Sequence, residues 1–131
     1  MATAEYRQPV SPKRILVVED EMLAALSIRT VLMADGHLVE MTESAERALV
    51  LLQASQYDIV LTDFKLPKMD GLELADMIKR DYPGMPVILI TAYAEKVGGC
   101  LGKVSNVDLV LSKPFSVPEL KRAVQNISGP A

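Results

Sequence analysis

A single cysteine, Cys100, is all the thiol this chain has, so no internal disulfide can form and a reducing cytoplasm is the expected setting. Cys100 itself reads as an ordinary small apolar side chain. Long apolar runs are missing too: none approaches the ~18 residues of a membrane span. Residues 1–12 lack the apolar stretch of a secretion signal and read as a mobile tail. Positive charge is not in excess either. Against 17 Asp and Glu stand 14 Lys and Arg, a net charge of −3, so neither nucleic acid nor a membrane surface is an expected partner. There is no internal repeat and no low-complexity linker. What remains is a chain of 131 residues, 50% hydrophobic and 24% charged, enough to bury one core. One domain is expected over 13–128, between tails at 1–12 and 129–131.

Four short apolar runs, at 15–18, 59–61, 87–90 and 109–111, each lead into polar residues. The endings are Glu19 and Asp20, Thr62 and Asp63, Thr91, and Ser112 with Lys113. Solid apolar runs of this length read as strands covered on both faces. Between them the apolar residues change to helical spacing. Ala24, Ile28, Val31 and Leu32 mark a first helix that Gly36 stops, and a weaker strand covers 37–41. Ala45, Ala48, Leu49 and Leu52 follow a Ser44 cap. Leu74, Ala75 and Ile78 follow Asp70 and Glu73, spaced as a capping box, with Gly71 as the turn residue. Val117, Leu120, Val124 and Ile127 follow the same pairing of Ser116 with Glu119. A helix over 93–106 would contain Gly98, Gly99 and Gly102, each costing up to about 1 kcal/mol relative to alanine, and is expected to be short, frayed or partly disordered. These units make an α/β fold: a five-stranded parallel sheet, doubly wound, with helices on both faces.

Ligands of open parallel sheets bind at the carboxyl ends of the strands, where strand order reverses. Right-handed crossovers and the order 2-1-3-4-5 would set the strand ending in Glu19 and Asp20 beside the one ending in Asp63. Two carboxylates about 4 Å apart repel by about 4 kcal/mol at an effective dielectric near 20, so such a cluster calls for a cation. Oxygen ligands in an incomplete set suit Mg²⁺, which keeps several waters and also takes phosphate oxygens. Lys113 offers a second, compact positive charge. Taken alone, Asp20 also reads as a helix cap, Asp63 as a turn residue, Thr91 as a strand threonine and Lys113 as a solvated charge.

Residues 15–21 (ILVVEDE), 61–71 (LTDFKLPKMDG), 90–92 (ITA) and 113–115 (KPF) together resemble the receiver domain of two-component response regulators, over about 14–127. The resemblance implies a flavodoxin-like (βα)5 fold and a phosphoacceptor, Asp63, that takes a phosphoryl group from a phosphohistidine. It implies Mg²⁺ on Asp20 and Asp63, with Glu19 reaching the ion through water and Lys65 adding its backbone carbonyl. Thr91 corresponds to the switch hydroxyl, near the Ala92 N–H, and Lys113 to the lysine that pairs with the phosphoryl group, before a cis Pro114. Such a protein is a signalling switch that catalyses only its own phosphorylation and dephosphorylation. Its partners would be a sensor histidine kinase or phosphotransfer domain and a downstream protein, with a homodimer as an alternative. The Met1 start and the short tail are read as those of a stand-alone receiver.

Three departures from the commonest pattern stand out. Glu19 replaces aspartate, Val110 stands where many receivers carry Tyr or Phe, and the helix expected to report activation is the glycine-rich one. Lys65 and Tyr93 flank the approach of a hydrolytic water, which implies slow loss of the phosphoryl group. On the first helix Leu23, Leu26 and Met33 lie off the core stripe and offer a docking patch for a helical phosphodonor domain or a second copy. A nucleotide- or flavin-binding protein is disfavoured, because residues 19–21 (EDE) repel phosphate where such proteins place glycines or hydroxyls. A phosphatase with an aspartyl intermediate lacks its second carboxylate two residues after Asp63. A phospho-independent interaction module on the same fold is the remaining alternative.

Overall fold

The computed structural model describes residues 12–92 and 106–128. The tails at 1–11 and 129–131, and residues 93–105 with most of the expected glycine-rich helix, lie outside the described residues. In chain order the elements are β1 (Arg14–Val18), α1 (Met22–Ala34), β2 (Leu38–Thr42), α2 (Ala45–Ala54) and β3 (Ile59–Asp63). They continue with α3 (Gly71–Asp81), β4 (Val87–Thr91), β5 (Leu109–Ser112) and α4 (Val117–Ser128). The strands form one parallel sheet in the expected order β2-β1-β3-β4-β5.

Strand alternation divides the core into two layers. Ile15, Val17, Ile59, Leu61, Ile88 and Ile90 pack on one face against Ile28 and Leu32 of α1 and Leu120, Ala123 and Val124 of α4. Leu16, Val18, Val60, Val87 and Leu89 pack on the other against Ala45, Ala48 and Leu52 of α2 and Leu74, Ala75 and Ile78 of α3. The central strands β1, β3 and β4 bury both faces, which is why they read as solid apolar runs. Truncating one of these fully buried leucines or isoleucines to alanine would cost about 2–5 kcal/mol.

The helix ends follow local chemistry. Ser44 accepts a hydrogen bond from the Arg47 N–H, and Asp70 with Glu73 forms a complete capping box. Ser116 and Glu119 exchange the same two bonds. The turn after α1 reverses at Gly36, with φ +94°, where the Gly36 N–H bonds Met33 and the His37 N–H bonds Leu32. The C-terminal return is anchored by the Asp108 carboxylate, which accepts from the Lys79 ammonium at 2.7 Å and the Val87 N–H at 2.8 Å.

Two stripes differ from the sequence reading. On α1 the buried residues are Ala25, Ile28 and Leu32, while Ala24 and Val31 are half-buried at the stripe's edge. On α4 Ala123 is buried and Val117, the first residue of the helix, is 49% exposed where it lines a groove shared with Ala24, Ile28 and Val31 of α1. β2 begins at Leu38 rather than His37. His37 is instead buried, its Nδ1 accepting the Lys13 N–H at 3.0 Å. No helix among the described residues is long and apolar enough to cross a membrane.

Burial pushes the His37 imidazole below its ordinary value near 6.5, the Lys13 charge adds to this, and Asp35 opposes it. The unfolded chain therefore takes up the proton first, and stability falls as pH drops through about 6.5. Urea midpoints between pH 7.5 and 5.5 should decline in the wild type relative to His37→Asn. Parallel pH profiles for the two proteins would show that His37 does not titrate differently on folding.

Candidate functional site

The polar residues that follow the apolar strands converge at the carboxyl edge because β1 and β3 are adjacent and in register, Val18 pairing with Thr62. Glu19, Asp20 and Asp63 each offer a carboxylate oxygen, all within 4.8 Å of one another. Glu19 and Asp63 are buried, and Asp20 is exposed at the mouth. The Lys113 ammonium, which follows β5, lies 3.0 Å from Asp63 Oδ1 and 3.6 Å from Glu19 Oε1. Its backbone N–H bonds the Thr91 carbonyl at 2.8 Å, and the Lys113–Pro114 peptide is cis as expected. Thr91 is buried at the end of β4, one residue beyond the Ile90 that pairs with Asp63. Lys65 sits with an exposed side chain on the loop after β3.

Glu19 is held by its own turn: Oε2 accepts the Glu21 N–H at 3.1 Å. That leaves Glu19 Oε1 buried without a hydrogen-bond partner, a costly state for a carboxylate oxygen. Asp20 does not cap α1. The N-cap is Glu21, whose side chain makes no capping bond, so the Asp20 carboxylate stays at the site.

The electrostatics show a cluster short of positive charge. Burial pushes the Glu19 carboxyl up, and the charges of Asp63 and Asp20 add to it against the pull of the Glu21 N–H and Lys113. Burial likewise raises Asp63; Lys113 opposes this and Asp20 reinforces it. Burial works against the Lys113 ammonium, but its hydrogen bond to Asp63 and the charges of Asp63 and Glu19 outweigh that and raise it. The Lys113 ammonium faces three carboxylates, and Glu19 Oε1, 3.6 Å from it, has no hydrogen-bond partner. A hard divalent cation suits this donor set, with Glu19, Asp20 and Asp63 as the side chains that can hold it.

Several features were not evident in the sequence. Gly71 is more than a turn residue: it opens α3 against β3, and a Cβ there would run into the Asp63 carbonyl oxygen and lie 2.8 Å from Leu89 Cδ1. An apolar groove of about 510 Å³ runs between α1 and α4, lined by Ala24, Ile28, Val31, Phe115, Val117 and Leu120, with Glu19 and Lys113 at one end. Val117, which lines it, is 49% exposed; Leu23 is 77% exposed, and Met22, which faces solvent too, lines the cavity on the other flank. Of the three residues expected to form an apolar patch on α1, Leu23 and Met33 are exposed and Leu26 is half-buried. On the opposite flank of the acidic cluster, Thr42, Ser44 and Arg47 line a second cavity of about 490 Å³.

A parallel sheet of order 2-1-3-4-5, with an acidic pocket at its switch point, defines a doubly wound α/β protein of the flavodoxin-like class. Residues 15–125 match the response regulator receiver domain family, and the chain belongs to that family. It is 32% identical over 119 residues to the transcriptional regulatory protein TcrA of Mycobacterium tuberculosis, covering 91% of this chain and 47% of TcrA. It is also 32% identical over 129 residues to the polar-differentiation response regulator DivK of Brucella anthropi, covering 92% of this chain and 99% of DivK. The chain thus spans about half the length of TcrA and of the MprA response regulators it matches, and nearly all of DivK. Among solved structures, the response regulator TrrA of Thermotoga maritima in complex with Mg²⁺-BeF superposes with a TM-score of 0.81 at 31% identity, covering 88% of this chain and 98% of TrrA. The receiver domain of the sensor histidine kinase PA1611 of Pseudomonas aeruginosa, with a magnesium ion coordinated in its active-site cleft, gives 0.79 at 28% identity, covering 91% of this chain and 99% of that one.

Carboxyls raised on folding contribute stability that is full below their unfolded values and is lost as pH rises through the folded ones. Near pH 7 the ionised cluster therefore weakens the fold, and a bound cation should restore what it costs. At one hundred times its dissociation constant, Mg²⁺ should stabilise by about 2.7 kcal/mol. The gain in Tm should shrink as pH falls toward the carboxyl range and vanish with EDTA. A Tm indifferent to Mg²⁺ at pH 7 would contradict a cation site.

Proposed function

We propose that this chain is a phosphoacceptor switch in a two-component phosphorelay, with Asp63 taking a phosphoryl group from a sensor histidine kinase or phosphotransfer domain. The observation that carries this is the Lys113 ammonium 3.0 Å from Asp63 Oδ1, in a pocket where Glu19 Oε1 has no hydrogen-bond partner. Asp20 and Asp63 would hold Mg²⁺ through their carboxylates, Glu19 through a water and Lys65 through its backbone carbonyl. When bound, the ion supplies the positive charge that lets an anionic phosphoryl group approach an anionic carboxylate.

This chain's own residues do the rest. An Asp63 carboxylate oxygen attacks phosphorus as the bond to the donor's imidazole nitrogen breaks, giving an aspartyl phosphate and a free histidine. Lys113 then exchanges part of its pairing with Asp63 for a phosphoryl oxygen, and the Thr91 hydroxyl turns to the same group. The protein acts on no other substrate; it catalyses only the gain and loss of its own phosphoryl group. The domain is taken as 13–128 with tails at 1–12 and 129–131, in the cytoplasm, with neither nucleic acid nor membrane as partner.

A donor must bring its phosphorus to the mouth of the pocket, so its helices have to seat on the surface around it. Exposed apolar side chains close in sequence to the pocket residues are Met22 and Leu23, which open α1 after Glu19 and Asp20, and Val117, which opens α4 after Lys113. That surface is assigned to a helical phosphodonor domain; a second copy of this chain and a downstream protein are the other occupants the switch implies.

Incubated with Mg²⁺ and acetyl phosphate, the wild type should gain one phosphoryl group by intact mass, and Asp63→Asn none. No gain in the wild type would leave the phospho-independent interaction module as the better account. Leu23→Glu should slow transfer from a phosphorylated histidine phosphotransfer domain by roughly tenfold or more and spare acetyl phosphate. Equal loss with both donors would rule out a docking role and point to damaged folding.

A further inference from the structure

The Asp63 carboxylate is aimed only as well as its backbone is held, and β3 ends at Asp63 itself, before an exposed turn. Two groups bear on its carbonyl oxygen. The wholly buried Thr62 donates its hydroxyl to that oxygen at 2.9 Å. Gly71 crowds the same oxygen so closely that no side chain fits on its α-carbon. The next peptide is pinned as well: the Phe64 N–H bonds the Ile90 carbonyl, and the Phe64 carbonyl accepts the Gly71 N–H, each at 2.8 Å.

A valine would be the ordinary occupant of position 62, in a central strand covered on both faces. A hydroxyl there is tolerated only because it has an acceptor, and the acceptor is the carbonyl of the residue that reacts. We infer that Thr62 is a positioning residue for the phosphoacceptor: its hydroxyl, together with the bare α-carbon of Gly71, fixes the Asp63 peptide plane. The carboxylate is thereby directed at Lys113 and toward Glu19 and Asp20. The assignment rests on Asp63 as phosphoacceptor; Thr62 touches neither the phosphoryl group nor the cation.

Thr62→Val keeps the shape and removes the donor, and Thr62→Ser keeps the donor. With Mg²⁺ and acetyl phosphate, well below the unfolding transition, Thr62→Val should lower the maximal phosphorylation rate roughly tenfold, as expected of a misdirected nucleophile. The half-saturating acetyl phosphate concentration should stay unchanged, and Thr62→Ser should recover most of the rate. Should the valine variant not fold, Thr62→Ala removes the same donor without adding bulk. A hydroxyl-free variant that reacts at the wild-type rate overturns the assignment, as does a loss that serine does not recover. A wild type that takes no phosphoryl group overturns the phosphoacceptor reading instead. Positioning is then read from Mg²⁺ affinity, which the hydroxyl-free variant should weaken severalfold and serine should restore; unchanged affinity overturns the assignment.

Discussion

Crowded like charge at the carboxyl edge is the constraint on which the rest of the site depends. Asp63 and Glu19 are buried, Asp20 lies beside them, and the Lys113 ammonium reaches both buried groups. Burial raises both carboxyls, so the folded protein carries an unfavourable pocket at neutral pH. Two apolar layers, one on each face of the sheet, hold it together against that cost. The same strain makes the pocket receptive: whatever brings positive charge, or replaces part of the negative charge by a group that Lys113 can bind, relieves it.

Geometry keeps the carboxylates from escaping the strain. Glu19 is tied back by the N–H of Glu21, and α1 starts without a side-chain cap, so Asp20 is not drawn away to serve as one. On the β3 side the Thr62 hydroxyl, the Gly71 contact and the Asp70–Glu73 capping box hold the turn that follows Asp63. Lys113 is delivered by β5, through its backbone bond to Thr91. Each group of the pocket is thus fixed by an element whose stability comes from the core rather than from the pocket, which lets the pocket remain unsatisfied.

The groove between α1 and α4 adds a second property to the same edge. Its walls are largely apolar, and Glu19, Lys113 and the exposed Val117 all line it, so the acidic cluster and Val117 share a boundary. Val110, half-buried against the α2–α3 layer beside Leu89, fills with a small side chain the position where many receivers have a ring. No aromatic side chain stands at that position to rotate.

Strand order, the two helical layers, the capping boxes at Asp70 and Ser116, and the meeting of Glu19, Asp20, Asp63 and Lys113 were all legible in the amino-acid sequence. The elements, caps and polar endings rest on periodicity and on where an apolar run stops, both local; the strand order and the meeting of the endings rest on crossover handedness and on the resemblance to receiver domains. Val117, Gly71 and Thr62 were not legible in the same way. Val117 has core spacing on α4, yet at the first residue of that helix it is half exposed. Gly71 looks like a turn glycine until the Asp63 carbonyl is seen against its α-carbon, and Thr62 looks like a strand residue until its hydroxyl is traced to that oxygen. The sequence by itself determined which groups share one edge of one sheet. Only the tertiary structure decided their distances, their burial and the backbone contacts that aim them, because those depend on side chains that meet across elements distant in the chain.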